Sequence, residues 1–162
     1  MNKGKVPARA SLPAPAFDAA LWHLSIMRFV SNHVSLRFQK LLEAEGISVT
    51  EWVALRTLWG QSDTSHADLI QALGMTRGAA SKVISRLEEK KLAGRQLVDG
   101  RAREQSLNLT AKGKALVPHL AELADANDEH FFAHLQPAER LALMGAMQAL
   151  VKHHQLKELP VS

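Results

Sequence analysis

The sequence of 162 residues contains no cysteine. Disulfides, thiolate metal sites and sensing through oxidation of cysteine are therefore excluded. The chain also lacks any apolar run near the roughly 18 to 20 residues that a membrane span requires, so no membrane partner is predicted. The basic residues near the N-terminus are not followed by a continuous apolar segment, as a signal peptide would need. We expect one soluble, cytoplasmic domain preceded by a flexible tail.

Catalytic motifs are missing as well. The chain has no Gly-rich phosphate loop, no His-Glu-x-x-His, no nucleophile elbow and no carboxylate pair in an evident cleft. We therefore predict that the protein is not an enzyme and that it needs no cofactor.

Positive charge is concentrated in one part of the chain. The net charge is +4, and the segment from Met75 to Gln105 holds eight basic residues against four acidic ones. That segment alone accounts for the whole excess, as a nucleic-acid-binding surface would require. The alternative is an ordinary solvated helix face.

Capping and turn residues divide the chain into helices and one hairpin. The first helix, from Phe17 to about Glu45, has apolar residues on several sides, and burial against a second subunit is the simplest account of them. The predicted elements that follow are a helix from the Ser48 capping box to Gly60, a short helix from about Ser65 to Leu73, a helix capped by Thr76, a hairpin over 95–109 with an Asp99-Gly100 turn, a helix capped by Thr110 that runs to about Phe132, and a helix opened by Pro137.

The segment from Ser65 to Thr110 is the most informative. A small helix, a short turn, a basic helix and a hairpin with two arginines follow one another, an order that can lay one helix in a DNA groove and reach the next groove with a loop. The basic helix has Ala80, Val83, Ile84 and Leu87 on its core side. Its outward residues are predicted to be Arg77, Ala79, Ser81, Lys82, Ser85 and Arg86.

These pieces resemble the MarR family of winged-helix transcriptional regulators from about Ala19 to Leu150. The resemblance rests on the order and spacing of 47–55, 69–73, 76–92, the wing 99–103 and 107–113. It implies a mainly α fold of the α+β class. The implied parts are a tail over 1–16, dimerisation helices over 17–47 and 110–155, a winged helix-turn-helix DNA-binding region over 48–109 and a tail over 156–162.

The resemblance also implies a mechanism: a homodimer represses transcription by binding a pseudo-palindromic site in double-stranded DNA. Arg101 and Arg103 would enter the minor groove, and a small aromatic or anionic effector would release the DNA. The implied major-groove contacts are Thr76, Arg77, Ala79, Ser81, Lys82, Ser85 and Arg86. The candidate effector-binding residues are Trp22, His23, His33, Trp52 and Arg56.

Two positions depart from the family pattern. Arg101 stands where the family usually has an acid two residues before its wing arginine, which makes the wing tip more cationic. Lys91 stands where the family commonly has a glycine. Because a lysine in the left-handed region costs about 1 kcal/mol or more, we expect the basic helix to run on to Gly94 instead.

Other interpretations stay open. The alternative to an effector site is that the tryptophans are core residues and the histidines lie at a subunit contact. His130 and His134 share a helix face and are the candidate ligands of a metal-responsive regulator, although no third ligand follows at a fixed spacing, and no metal is predicted. A dimeric interaction module without DNA binding is the third alternative.

Overall fold

The structure, a computed structural model, describes residues 22–61, 63–98 and 101–157, without the side chains of 22–24, 97–98 and 101–105. The predicted helix start at Phe17, the predicted tail over 1–16, the Asp99-Gly100 turn and all but the first two residues of the tail predicted over 156–162 lie outside the described residues. Contacts divide the chain into two units, one ending at His33 and one beginning at Val34. Of the first unit, the structure describes the first half of one helix.

Six helices and three short strands make up the described part of the chain. None of the helices there is long and apolar enough to cross a membrane. The elements are α1 (Trp22–Ala44), α2 (Val49–Gly60), β1 (Thr64–Ser65), α3 (His66–Leu73), α4 (Arg77–Glu89), β2 (Ala93–Val98), β3 (Arg101–Leu109), α5 (Ala111–Phe132) and α6 (Pro137–His153).

The helix starts follow the capping residues. Ser48 Oγ accepts a hydrogen bond from the Glu51 amide at 3.2 Å, and the Ser48 amide donates to the Glu51 carboxylate at 2.8 Å. Thr76 and Thr110 cap α4 and α5 with the side-chain hydrogen bond alone, and Pro137 opens α6. The predicted starts of these four helices are confirmed.

The sheet has the order β1-β3-β2 and is antiparallel. Its hairpin, β2 with β3, is predicted correctly, whereas β1 (Thr64–Ser65) is not predicted from the sequence. Two residues cannot show an alternating pattern. They are held because Asp63 turns with φ of 55° and its amide donates to the Asn108 side chain of β3 at 3.0 Å.

In the second unit, the helices α2, α3, α4 and α5 and the sheet share one hydrophobic core. Leu42 near the end of α1 and Leu107 and Leu109 on β3 are buried. The other buried apolar residues include Leu55, Leu69, Leu73, Ile84, Leu87 and Leu120. By contrast, α6 has no buried residue.

The end of α4 corrects one prediction. The helix does not run on to Gly94; it ends at Glu89, and Lys91 adopts the left-handed φ of 58°. The amide of Leu92 donates to the carbonyl of Leu87 and that of Lys91 to Glu88, both at 2.9 Å, which is the Schellman pattern. The buried Leu92 and these two hydrogen bonds together offset the cost of a lysine in that conformation.

Candidate nucleic-acid interface

The two central helices form a helix-turn-helix. Gly74 ends α3 in the left-handed region, with φ of 60°, and its amide donates to the Gln71 carbonyl. Thr76 then caps α4, so only residues 74–76 separate the two helices. A short turn of this kind, containing a glycine, is typical of the motif.

One side of α4 is buried and the opposite side faces outward. Ala80, Val83, Ile84 and Leu87 pack in the core. The exposed side chains on the other side include Arg77, Lys82, Ser85 and Arg86. The helix therefore presents three cations and a hydroxyl on the surface that a groove would meet.

The remaining predicted contacts on α4 are partly engaged within the fold. Ala79 and Ser81 are half-buried. The hydroxyl of Ser81 lies 3.4 Å from Nε2 of His66, the first residue of α3, and the hydroxyl of Thr76 accepts from the Ala79 amide at 3.3 Å. These residues join α3 to α4 or cap α4, which leaves the longer cations as its most extended groups.

Two basic residues of the segment form ion pairs within the fold. Arg95 Nε lies 3.2 Å from the carboxylate of Glu88, and Lys90 Nζ lies 2.8 Å from that of Glu51. No ion pair joins Arg77, Lys82 or Arg86 to another described residue. The excess charge counted from the sequence is therefore divided between internal pairs and a surface.

The hairpin after α4 has the position of a wing. Its strands pair from Ala93 opposite Leu109 to Val98 opposite Arg101, with an irregularity between Leu97 and Val98. Arg101 and Arg103 belong to β3, but their side chains lie outside the described residues. Their part in the interface remains a prediction.

The comparisons with known proteins agree with this arrangement. Residues 47–96 match the MarR family, a segment that contains the helix-turn-helix and the first four residues of the first wing strand. The resemblance to the MarR family predicted from the sequence is confirmed. Members of this family are transcription regulators and not enzymes, so the predictions of a regulator and of no catalysis are confirmed.

Three relatives illustrate the similarity. A putative transcriptional regulatory protein for the hcr operon of Thauera aromatica is 27% identical over 118 residues, which cover 73% of this chain and 70% of the relative. The structure of Bordetella bronchiseptica BpsR, whose DNA binding is regulated by 6-hydroxynicotinic acid, is 25% identical with a TM-score of 0.65, covering 85% and 96% of the two chains. A DNA complex of S. aureus MepR has 21% identity and a TM-score of 0.66, covering 84% and 99%. The predicted winged-helix fold, mainly α with a small antiparallel sheet, is confirmed.

The candidate effector residues lie in different surroundings. Trp52 is buried, with its ring 6.2 Å from that of Phe38 in an edge arrangement, so it is a core residue as the alternative had it. Arg56 is exposed on α2. His33 is exposed in the first unit, its Nδ1 2.9 Å from the Phe29 carbonyl. The side chains of Trp22 and His23 lie outside the described residues.

The histidines of the metal alternative are exposed. His130 is on α5 and His134 follows that helix. Among the described side chains, no group of three metal-ligating residues comes together. The structure therefore adds no support to a metal-responsive regulator.

Sequence reasoning missed one feature of the site. From the sequence, Glu51 is only the partner of Ser48 in a capping box, and Lys90 is one of the eight basic residues of the segment from Met75 to Gln105. In the structure Glu51 is 2% exposed and hydrogen-bonds to Lys90. The two residues are separated by 39 positions, and no local pattern connects them.

Proposed function

We propose that this protein is a ligand-responsive repressor that binds a pseudo-palindromic DNA site as a homodimer. The observation that carries the proposal is the position of Arg77, Lys82 and Arg86 on the outward side of α4, opposite its buried apolar side. Guanidinium and ammonium groups suit phosphates and the guanine edge, and a single helix fits the major groove.

The size of this surface suits a half-site. From Arg77 to Arg86 a helix rises about 14 Å, which corresponds to roughly four base pairs along the DNA axis. The half-buried Ser81 and the exposed Ser85 lie between the cations and can accept or donate at base edges. Arg101 and Arg103, on the wing, would contact the flanking minor groove, where narrow A·T-rich stretches attract arginine.

Exposed apolar side chains support a dimer. On α6, Leu143, Met144, Met147, Leu150 and Val151 are each at least 41% exposed. Their spacing puts them along one side of the helix, and such apolar faces are usually covered by another chain. A second copy related by a twofold axis would present two α4 helices about 34 Å apart, one turn of DNA.

An effector would control the dimer. The regulation of BpsR by 6-hydroxynicotinic acid supports a small aromatic acid as the chemical class of ligand. Arg56, exposed on α2, could pair with its carboxylate. DNA would be released if the ligand bound better to the dimer geometry in which the two helices no longer match the groove spacing.

The predicted division of the chain belongs to the same proposal. Residues 48–109 would bind DNA, and residues 17–47 and 110–155 would form the dimer. Because such a regulator must meet its DNA to act, the proposal includes a cytoplasmic location.

The test is selection of bound duplexes from a random pool by the purified protein. We expect enriched inverted half-sites about ten base pairs apart, centre to centre. A triple variant with Arg77, Lys82 and Arg86 changed to glutamine should select nothing. The matched control changes Lys114, Lys152 and Lys157, which are exposed cations elsewhere. Absence of enrichment with the unsubstituted protein at low salt would favour the interaction module instead.

A further inference from the structure

The ammonium group of Lys90 lies at a junction of three helix ends. Lys90 is the C-cap of α4. Its Nζ donates to the carbonyl of Gly46 at 2.6 Å and lies 2.8 Å from each oxygen of Glu51. Gly46 follows α1 with φ of 70°, and Glu51 is in the first turn of α2. One side chain therefore connects the end of α1 and the start of α2 to the end of α4.

These contacts commit the charge of the lysine to the fold. An ammonium has three N–H donors and no acceptor. The Gly46 carbonyl accepts from one donor at 2.6 Å, and the two Glu51 oxygens, which lie too close together to face two separate N–H groups, share another side of the ammonium at 2.8 Å. Although the Lys90 side chain is partly exposed, its positive charge is paired with a carboxylate of the fold.

Glu51 is equally committed. It is 2% exposed, and its Oε2 also accepts from the Ser48 amide at 2.8 Å. A buried carboxylate is costly without charged and hydrogen-bonding partners. Removal of either Lys90 or Glu51 therefore leaves the other without the partner that its position requires.

The junction also borders the proposed DNA surface. Arg86 precedes Lys90 by one helical turn, and both line one cleft together with Glu51 and Gly46. From the other side, Lys112 Nζ donates to the backbone carbonyl of Lys90 at 3.0 Å. The last turn of α4, which carries Arg86, is thus held from two directions.

From this arrangement we infer that Glu51 and Lys90 are positioning residues, which set the placement of α4 in the DNA groove without contacting DNA themselves. The inference rests on the proposed function. It assigns Lys90 a different part from Arg77, Lys82 and Arg86. It also makes the α1–α2 turn a place from which movement of α1 can reach α4.

The test measures DNA affinity of Glu51→Gln, Lys90→Gln and the double variant by fluorescence anisotropy. The probe is a duplex selected by the unsubstituted protein. Glutamine at position 51 keeps one oxygen for the capping box but removes the charge and one of the two acceptors that face Lys90. We expect each single variant to bind about tenfold more weakly, the size of effect that loss of a charged hydrogen bond produces. The double variant should bind DNA no more weakly than whichever single variant has the lower affinity, because each substitution alone already breaks the same junction.

A salt titration separates positioning from contact. Loss of a phosphate contact lowers the salt slope by about one, whereas misplacement of α4 by loss of Lys90 leaves a slope close to that of the unsubstituted protein. Lys114→Gln, at an exposed position on α5, is the matched charge control. A slope reduced by about one in Lys90→Gln, with Glu51→Gln unchanged in affinity, would show that Lys90 binds phosphate and would overturn the inference.

A charge-preserving variant covers the case of poor folding. Lys90→Arg keeps the positive charge, but a bulkier planar guanidinium cannot take the place of the compact ammonium between the Gly46 carbonyl and the Glu51 carboxylate. We expect weaker DNA binding and faster hydrogen exchange at the amides of 84–90. Binding as tight as that of the unsubstituted protein overturns the inference. If the unsubstituted protein selects no duplex at all, the proposed function fails, whereas failure of the variants alone to weaken binding rejects only the positioning role.

Discussion

Gly113 lies directly against the carbonyl group of Leu92, and any side chain at position 113 would overlap that oxygen. The contact lets the first turn of α5 pack on the chain that leaves α4. The hydroxyl of Thr110 donates to the Lys91 carbonyl at 2.7 Å, and the amide of Thr110 donates to the Leu92 carbonyl at 3.0 Å. The start of α5 is therefore docked on the end of α4 through backbone atoms.

Gly113→Ala should lower the free energy of unfolding by about 1 to 3 kcal/mol, because the clash is with backbone and cannot be relieved by a rotamer change. Urea denaturation followed by circular dichroism measures the change. Gly145→Ala is the control, since a Cβ at that helical position meets nothing within 4 Å. It should be neutral or stabilising. Equal effects of the two substitutions would contradict the close packing.

Lys91→Gly should raise the free energy of unfolding by about 1 kcal/mol, because glycine adopts a left-handed φ without the steric cost of a Cβ. Lys91→Val should lower it, since a β-branched residue is less suited still to φ of 58°. The same denaturation experiment checks both. If the glycine variant proved less stable, the left-handed assignment at Lys91 would be wrong.

Asp68 should make the stability of the helix-turn-helix depend on pH in acid. Hydrogen bonds from the side chain and backbone of Ser65 hold its pKa below the ordinary value. A lowered pKa means that the carboxylate stabilises the fold above the unfolded-state value, near 4, and that this contribution is lost as pH falls through the folded-state pKa. The unsubstituted protein should thus be more stable than Asp68→Asn at pH 7, and the two should converge once the pH falls below the lowered pKa of Asp68 in the folded state. A difference that persists unchanged in acid would rule out this contribution.

Lys82→Gln should weaken binding to all duplexes alike and reduce the salt slope by about one if the lysine contacts a phosphate. Arg103→Ala should instead cost about 1 to 3 kcal/mol, with the larger loss on sites whose flanks are A·T-rich. Anisotropy titrations with flank variants at several salt concentrations distinguish the two patterns. A change of sequence preference in Lys82→Gln would make Lys82 a reader of bases.

Met144→Glu should dissociate the proposed dimer, because it places a charge in the apolar side of α6 that a second copy would bury. Sedimentation equilibrium measures the mass, and DNA affinity should fall with it. Ala149→Glu, on another side of the same helix by its 3.6-residue period, is the matched control and should remain dimeric. A monomeric unsubstituted protein would remove this part of the proposal.

Local signals in the sequence were enough to predict most of the fold. Ser48, Thr76 and Thr110 are helix caps because their hydroxyls accept from amides within three residues. The apolar period of α4 likewise predicted which side would be buried, and so which cations would face outward. Such features depend on neighbours in the chain, and the sequence by itself determined them.

The tertiary structure alone decided the features that join distant positions. The two-residue strand β1 exists because β3 is beside it. Lys91 takes a left-handed conformation because Leu92 must be buried and α5 docks on that turn. Lys90 is held by Glu51, although its charge and place in the sequence resemble those of the outward cations. Contacts of this kind have no period or spacing along the chain, because the partners meet only when the helices pack.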